Sequence, residues 1–202
     1  TFMGVIDKVL YKEEDNITYL VVVDYKTGST NINLKNMEYG LGLQLPIYLY
    51  LSSKMELENV KVVGFYLQKL FTSTLDNSKD YETARESNLR LEGYSTDNEN
   101  ILSKFDTTYN DSKLIKGMKT TSKGFSTYSK VLNDEEIDSM ISNTDKLINQ
   151  GIDEILEGDF TINPKVIDGT NVSCSFCEYK DICYLREEDI TYINREEDKD
   201  GE

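Results

Sequence analysis

The sequence predicts an α/β domain followed by a short lobe that carries cysteines. Three observations indicate this arrangement: two neighbouring strand-like segments near the start, a long amphipathic helix at residues 134–157, and three closely spaced cysteines near the end. A chain of 202 residues can bury one sizeable core with an appended lobe. The strand-like pattern begins at the second residue, so we expect the chain to be a piece of a longer protein.

Three apolar segments predict the sheet. Residues 2–11 and 17–25 flank the polar turn "KEEDN" and predict an antiparallel hairpin. Within the second segment, residues 19–23 are continuously apolar and rich in β-branched side chains, which is typical of a strand covered on both faces. Residues 60–68 predict a third strand.

Two segments predict helices. Residues 37–55, "MEYGLGLQLPIYLYLSSKM", favour a helix although they contain two glycines and a proline. The clearer helix covers residues 134–157, where Asn133 and Glu136 resemble a capping box and Gly158 stands where a C-terminal glycine belongs. Its apolar residues fall on one stripe: Ile137, Met140, Ile141, Leu147, Ile148, Ile152, Ile155 and Leu156.

Composition along the chain predicts five regions. Residues 72–111 are polar, charged and poor in periodicity, and the tail is acidic. The expected regions are a catalytic core at 1–70, a polar insertion at 71–111, the helical remainder of the domain at 112–168, a cysteine motif at 169–190 and an acidic tail at 191–202.

The net charge of −15 is unevenly distributed. Residues 1–70 carry 7 Lys/Arg and 8 Asp/Glu, whereas residues 71–202 carry 15 and 29. One stretch is basic: residues 112–130 hold five lysines and no acid. It is either a solvated surface strip or a patch that faces phosphates. In the second case the candidate DNA-binding residues are Lys113, Lys116, Lys119 and Lys123.

A chemically distinctive group stands at the end of the second predicted strand, in "VVVDYKTGS". Side chains alternate along a strand, so Asp24 and Lys26 share one face and Tyr25 takes the other. One interpretation is that the strand simply ends there and its charges reach water. The hairpin can also place Asp7 beside Asp24, and two carboxylates with a lysine suit a divalent cation that binds a phosphate. On the following helix, Gln44 and Tyr48 are spaced i, i+4 and project from one face.

The order "GVID", then "DYKTG", then "QLPIY", on strand, strand and helix, resembles the PD-(D/E)XK nuclease superfamily and its RecB-like branch. The resemblance implies a restriction-endonuclease-like mixed sheet flanked by helices, and a Mg²⁺ ion for which Mn²⁺ can substitute. It implies metal ligation by Asp7, Asp24 and the backbone carbonyl of Tyr25, and catalytic roles for Asp7, Asp24, Lys26, Gln44 and Tyr48. Superfamily members usually have an acidic or histidine residue on a helix before the first motif strand. This chain has no histidine, so that helix is either outside it or absent.

The cysteines form a C-x2-C-x5-C pattern at Cys174, Cys177 and Cys183. Three cysteines without a histidine cannot complete a four-ligand zinc or iron site within this chain. A disulfide plus one free thiol is the alternative, which a cytosolic setting disfavours. The spacing resembles the [4Fe–4S] motif near the C-terminus of AddB-type helicase–nuclease proteins, which implies that the fourth cysteine is not in this chain.

Taken with the resemblance, these residues predict the Mg²⁺-dependent DNA exonuclease domain of a helicase–nuclease complex that processes double-strand breaks for recombinational repair. The implied partners are DNA and an AddA-like helicase, in the bacterial cytoplasm. No apolar run is long enough for a membrane helix, so we expect no membrane partner. Two alternatives remain: a CRISPR-adaptation RecB-like nuclease with similar motifs and the same cysteines, and a catalytically idle DNA-binding or scaffolding module. The intact set of Asp7, Asp24 and Lys26 weighs against the idle module.

Overall fold

The computed structural model describes residues 2–28, 30, 32–70 and 80–193. The chain divides into two compact units, Thr1–Ile148 and Asn149–Glu202. The elements in chain order are β1 (Lys8–Glu14), β2 (Ile17–Lys26), a 3-10 helix (Leu34–Tyr39), α1 (Gln44–Ser53), β3 (Val60–Lys69), α2 (Tyr81–Asn88), β4 (Glu92–Thr96), α3 (Glu99–Phe105), β5 (Thr120–Thr121), β6 (Gly124–Phe125), β7 (Val131–Leu132), α4 (Asp134–Glu157), β8 (Lys165–Ile167), α5 (Val172–Ser175), a second 3-10 helix (Glu187–Asp189) and β9 (Thr191–Ile193).

The first unit is built on a five-stranded sheet in the order β1-β2-β3-β4-β7. The pairs β1–β2 and β3–β4 are antiparallel, while β2–β3 and β4–β7 are parallel. Because β2 and β3 are parallel, the chain between them must cross over the sheet, and α1 lies in that connection. The predicted α/β fold with a mixed sheet is therefore confirmed.

Strand β2 is buried on both faces, as its continuous apolar run predicts. Its alternate side chains enter two separate clusters. One face packs against α1 and the start of α4, with buried members Leu20, Val22, Met37, Leu45, Leu49, Phe65, Leu67 and Met140. The other face packs against α3 and the segment before β5, with buried members Val21, Val23, Val63, Tyr66, Leu91, Leu102, Ile115 and Met118.

The predicted hairpin is present, but its first strand is displaced from the predicted residues 2–11. β1 begins at Lys8 and runs to Glu14, in register with β2 from Val23 to Ile17. The turn needs only two residues, Asp15 and Asn16, with φ of 53° and 60°. Two successive left-handed residues are the geometry of a tight hairpin turn. The pairing therefore extends through most of the stretch that the sequence predicts as a polar turn.

The prediction of one helix over residues 37–55 is wrong, because its glycines end one helix before the next begins. Gly40 closes the 3-10 helix with φ of 75°, and Gly42 has φ of 68°. These left-handed values suit glycine and are incompatible with a continuous α-helix. Helix α1 then starts at Gln44, and Pro46 falls in its first turn, where a missing N–H costs no helical hydrogen bond.

Most of the described part of the predicted polar insertion is regular structure. Residues 71–79 lie outside the described residues, but α2, β4 and α3 follow one another between Tyr81 and Phe105, and β4 pairs with both β3 and β7. Sequence pattern missed β4 because its interior position 93 is a glycine. A Cβ at Gly93 would lie 2.1 Å from the carbonyl oxygen of Phe65 and 2.8 Å from the Cα of Tyr66. Close packing, and not strand propensity, therefore selects this residue.

Residues 112–168 are not the predicted helical remainder, since only α4 is a helix there. Before it come the β5–β6 hairpin and β7; Gly117 lies in a turn before β5 and Gly124 begins β6, with φ of 74° and 105°. Helix α4 covers the predicted residues and has the predicted reciprocal cap between Asn133 and Glu136, at 2.8 Å in both directions. Its apolar stripe is buried only in the first half, and Leu156 is exposed.

The second unit contains the parallel pair β8–β9, α5 and the second 3-10 helix. The expected acidic tail at 191–202 begins with β9, and residues 194–202 lie outside the described residues. In the part of the chain that the structure describes, no helix is long and apolar enough to cross a membrane.

Candidate active site

The end of β2 carries the predicted group of polar side chains. Asp24 is 2% exposed, although an aspartate is rarely that deeply buried. It follows Leu20 and Val22 on the same face of β2 and so lies on the α1 side of the sheet. A buried carboxylate needs charged or hydrogen-bonding partners, and its neighbours provide them.

Asp7 is brought to this place by the hairpin. The register pairs Lys8 with Val23, which sets Asp7 opposite Asp24 just before β1 begins. The Asp7 Oδ2 atom accepts a hydrogen bond of 2.9 Å from the backbone N–H of Tyr25. The two carboxylates therefore stand on adjacent chain segments, and the exposed Asp7 leaves its other oxygen open to solvent or a ligand.

Lys26 and Gln44 complete the cluster around Asp24. The Lys26 ammonium lies 2.6 Å from Asp24 Oδ2 and donates a hydrogen bond to Gln44 Oε1. The Gln44 amide nitrogen donates to Asp24 Oδ1 at 2.9 Å and to the Tyr48 hydroxyl at 3.0 Å. Gln44 thus bridges the carboxylate and the ammonium, and Tyr48, one turn along α1, orients it. The structure brings together all five residues that the sequence singled out.

One oxygen of Asp24 is only partly satisfied. Asp24 Oδ2 is buried, and among the described residues its partner is the Lys26 ammonium, 2.6 Å away. A carboxylate oxygen has a second lone pair, which this single contact leaves available to a cation.

The donor set at this strand end fits a hard divalent ion. Asp7 and Asp24 offer carboxylates, and the backbone carbonyl of Tyr25, the residue after Asp24, is a third candidate oxygen. Among the described residues, no three acidic, histidine or cysteine side chains are grouped to hold a metal. The candidate site therefore has two carboxylates and would depend on the backbone carbonyl, water and substrate for its other ligands.

The cysteine motif is not assembled into a metal site within the described residues. Cys174, Cys177 and Cys183 are partly buried free thiols of the second unit. Cys174 lies in α5, whose N-terminus is capped by the Asn171 side chain at 3.0 Å from the Cys174 N–H. No disulfide joins the three, which does not support the disulfide alternative.

The four lysines proposed from sequence have different surroundings. Lys116 donates to Glu92 Oε2 at 2.9 Å, whereas Lys119 lies 3.8 Å from an oxygen of Asp111. Lys123 occupies the turn between β5 and β6, and Lys113 is exposed. Of these four lysines, Lys116 is the one that contacts a strand of the five-stranded sheet, through Glu92 of β4.

Sequence reasoning missed Glu92, which lies on the same face of the sheet as Asp24. The register pairs Asp24 with Leu67 and Leu67 with Glu92. Burial acts to raise the pKa of Glu92, but hydrogen bonds from Lys116 and Thr30 outweigh it and hold the pKa below its usual value. The only signal in the sequence was the short alternation "EGYST", which its glycine weakened.

Comparison with known proteins agrees with this geometry. The sequence profile of the PD-(D/E)XK nuclease superfamily matches residues 1–184. Proteins named as the B subunit of an ATP-dependent helicase/deoxyribonuclease are similar: that of Carboxydothermus hydrogenoformans is 29% identical over 95% of this chain and 18% of its own length. Those of Lachnoclostridium phytofermentans and Clostridium botulinum (strain Loch Maree) are 28% and 30% identical over 89% and 90% of this chain, and 17% of their own lengths.

The chain thus spans less than a fifth of the length of these curated relatives. The resemblance indicated by the three motifs is confirmed, since the matched range includes every residue of the cluster around Asp24. This chain belongs to the PD-(D/E)XK nuclease superfamily.

Proposed function

We propose that this chain is the metal-dependent deoxyribonuclease domain of a longer helicase–nuclease protein. The observation that carries the proposal is the buried Asp24 carboxylate, held between Lys26 and Gln44 with Asp7 beside it. A structural ion pair would need neither the second carboxylate nor the bridging amide. Partly satisfied charges that converge on one strand end are typical of catalytic sites.

Each residue has a role that its contacts support. Asp7, Asp24 and the Tyr25 carbonyl would hold Mg²⁺ or Mn²⁺, which polarises the scissile phosphodiester and makes an attacking water more acidic. Lys26 keeps its ammonium at the strand end, where it can hold that water or offset the negative charge of the transition state. Gln44 sets the position of Lys26, and Tyr48 sets the orientation of Gln44.

The wider assignment rests on the relatives. Their names describe one subunit of an ATP-dependent helicase/deoxyribonuclease. We therefore propose DNA and an AddA-like helicase as partners, and exonucleolytic processing of double-strand breaks for recombinational repair in the cytoplasm. The lysines Lys113, Lys116, Lys119 and Lys123 are proposed to contact DNA. The cysteines are proposed to ligate a [4Fe–4S] cluster whose fourth cysteine is outside this chain.

The experiment compares Asp24→Ala and Lys26→Ala with the parent protein on end-labelled duplex DNA, with any partner nuclease disabled. We expect both variants to lose cleavage while they still bind DNA, because they remove transition-state stabilisation and not ground-state affinity. Lys61→Ala is the matched control, since it removes an ion-paired lysine at the opposite end of the neighbouring strand β3. Cleavage by Asp24→Ala at the parent rate would refute the site.

Metal binding has an independent readout. A ligand that binds only the folded state raises its melting temperature. We expect Mg²⁺ and Mn²⁺ to raise that of the parent protein and to have no such effect on the double variant Asp7→Asn/Asp24→Asn. Equal shifts in both proteins would place the metal elsewhere.

A further inference from the structure

The face of the sheet that carries the active site continues beyond it toward β4. The register pairs Lys26 of β2 with Lys69 of β3, so both side chains take the same face. Glu92 and Tyr94 of β4 lie on that face as well, because they pair with Leu67 and Phe65 of the same cluster. The surface next to the catalytic cluster is therefore formed by the ends of β3 and β4.

Two further lysines reach this surface from the segment between α3 and α4. The Lys116 ammonium lies 2.9 Å from Glu92 Oε2, and the Lys130 ammonium lies 5.6 Å from the centre of the Tyr94 ring. The backbones of both lysines are hydrogen-bonded to the chain at or beside β4, at 2.8 Å and 3.0 Å. Their positions are thus set by the sheet and not by flexible loops.

These lysines have capacity to bind a ligand. The Lys116 side chain is 63% exposed, and an ammonium has three donors, of which Glu92 uses one. Three lysines on one surface contrast with a chain whose net charge is −15. Local positive charge of this kind attracts phosphate that the rest of the molecule repels.

We propose that Lys69, Lys116 and Lys130 bind successive phosphates of one DNA strand where it crosses β3 and β4 on its way from the active site. The inference rests on the proposed nuclease function and identifies where that site holds its substrate. β4 is two strand spacings from β2, about 10 Å. A strand that leaves the active site along this face therefore reaches Lys116 and Lys130 a short distance beyond the scissile bond.

Glu92 acts as an internal competitor for this phosphate row, which we define as Lys69, Lys116 and Lys130. Its carboxylate occupies one donor of Lys116 and repels a nearby phosphate. Two predictions of opposite sign follow. Loss of the lysines of the row should weaken the binding of a DNA strand, and loss of the Glu92 charge should strengthen it.

The test measures binding of a labelled 12-nucleotide single strand by fluorescence anisotropy over a range of salt concentrations. For Lys116→Gln/Lys130→Gln, we expect the slope of log K against log salt to fall by about 1.4, because two phosphate contacts are lost. For the triple variant that also carries Lys69→Gln, the slope should fall by about 2.1. The matched control is Lys12→Gln/Lys104→Gln, which removes two lysines that both contact Glu14, at the far end of the hairpin from the active site. Its slope should equal that of the parent protein.

Glu92→Gln keeps the test decisive if the lysine variants fold poorly. It should bind the strand more tightly than the parent protein does. Slopes for the lysine variants that match the control, or weaker binding by Glu92→Gln, would overturn the proposal.

Cleavage in Mg²⁺ separates this inference from the proposed function. If both hold, Lys116→Gln/Lys130→Gln raises KM for the 12-nucleotide strand more than for a dinucleotide, whose single internal phosphate lies at the active site and cannot also occupy the row. If the parent protein cleaves and the variants show no such difference, the row is wrong and the nuclease stands. If the parent protein binds with the expected slopes but does not cleave, the row stands and the nuclease assignment fails.

Discussion

Replacing Gln44 with alanine tests whether the amide positions Lys26, the proposed catalytic lysine. Gln44 makes three side-chain hydrogen bonds, with Lys26, Asp24 and Tyr48. Gln44 itself is exposed, so water can replace its bonds to Lys26 and Tyr48. Asp24 is 2% exposed, and its Oδ1 atom would lose a partner that water cannot easily replace. The variant should therefore lose about 1–3 kcal/mol of stability, the usual cost of an unsatisfied buried acceptor.

The effect on catalysis should be larger than the effect on folding. Without the Gln44 oxygen, the Lys26 ammonium keeps only its ion pair with Asp24 and can rotate away from the strand end. Misplacement of a catalytic group by about 1 Å costs on the order of 100-fold in rate. We expect kcat to fall about that much with little change in KM, since the amide nitrogen already donates to Asp24 and Tyr48 and has no further proton to offer DNA.

The assay combines thermal melts with steady-state cleavage of labelled DNA. A loss of about 1–3 kcal/mol corresponds to a fall in melting temperature of about 2–12 °C for a chain of this size. Tyr48→Phe is the matched control because it removes one bond of Gln44, at 3.0 Å, and leaves the other two. It should cost less than about tenfold in kcat. A Gln44→Ala protein whose melting temperature falls while kcat stays within about threefold of the parent value would show that the amide is only structural.

Three further outcomes are expected. Gly93→Ala should destabilise the fold by about 1–3 kcal/mol because its Cβ would meet the Phe65 carbonyl at 2.1 Å; Gly151→Ala, with nothing within 4 Å in helix α4, should raise stability by about 0.5–1 kcal/mol in the same melts. Burial raises the pKa of Tyr66, so the folded state resists ionisation of this phenol and stability should fall as the pH rises above about 10, the usual pKa of tyrosine. Tyr66→Phe should lack this alkaline loss in melts from about pH 8 to 11, and an identical alkaline limb would refute it. The three thiols in residues 174–183 should not assemble a stoichiometric four-iron cluster on this chain alone after anaerobic reconstitution, since a fourth ligand is needed; iron counting checks this.

The cluster around Asp24 follows largely from local geometry and so could be predicted from sequence. Alternation along a strand puts Asp24 and Lys26 on one face, whatever surrounds them. The helical period puts Gln44 and Tyr48 together, and they share a hydrogen bond. A two-residue hairpin turn then fixes the register of β1 on β2, and that register places Asp7 beside Asp24.

Other features depended on packing that no local pattern reveals. Strand β4 exists because Gly93 allows the chain to approach Phe65 and Tyr66 closely, and glycine weakens a strand pattern in sequence. The break at Gly40 is a backbone conformation that the apolar pattern of residues 37–55 conceals.

The identity and spacing of the candidate catalytic side chains, the double-sided burial of β2 and the cap of α4 follow from the sequence alone, because each depends on residues close along the chain or on one repeating period. Tertiary packing is what brings β4 into the sheet of the candidate site, and what makes Glu92 and Lys116 meet across 24 positions of sequence on the face that carries Asp24. Such contacts depend on which strands pair and in which register. That choice is made by the packing of the whole core, to which each residue contributes only a small part of the free energy.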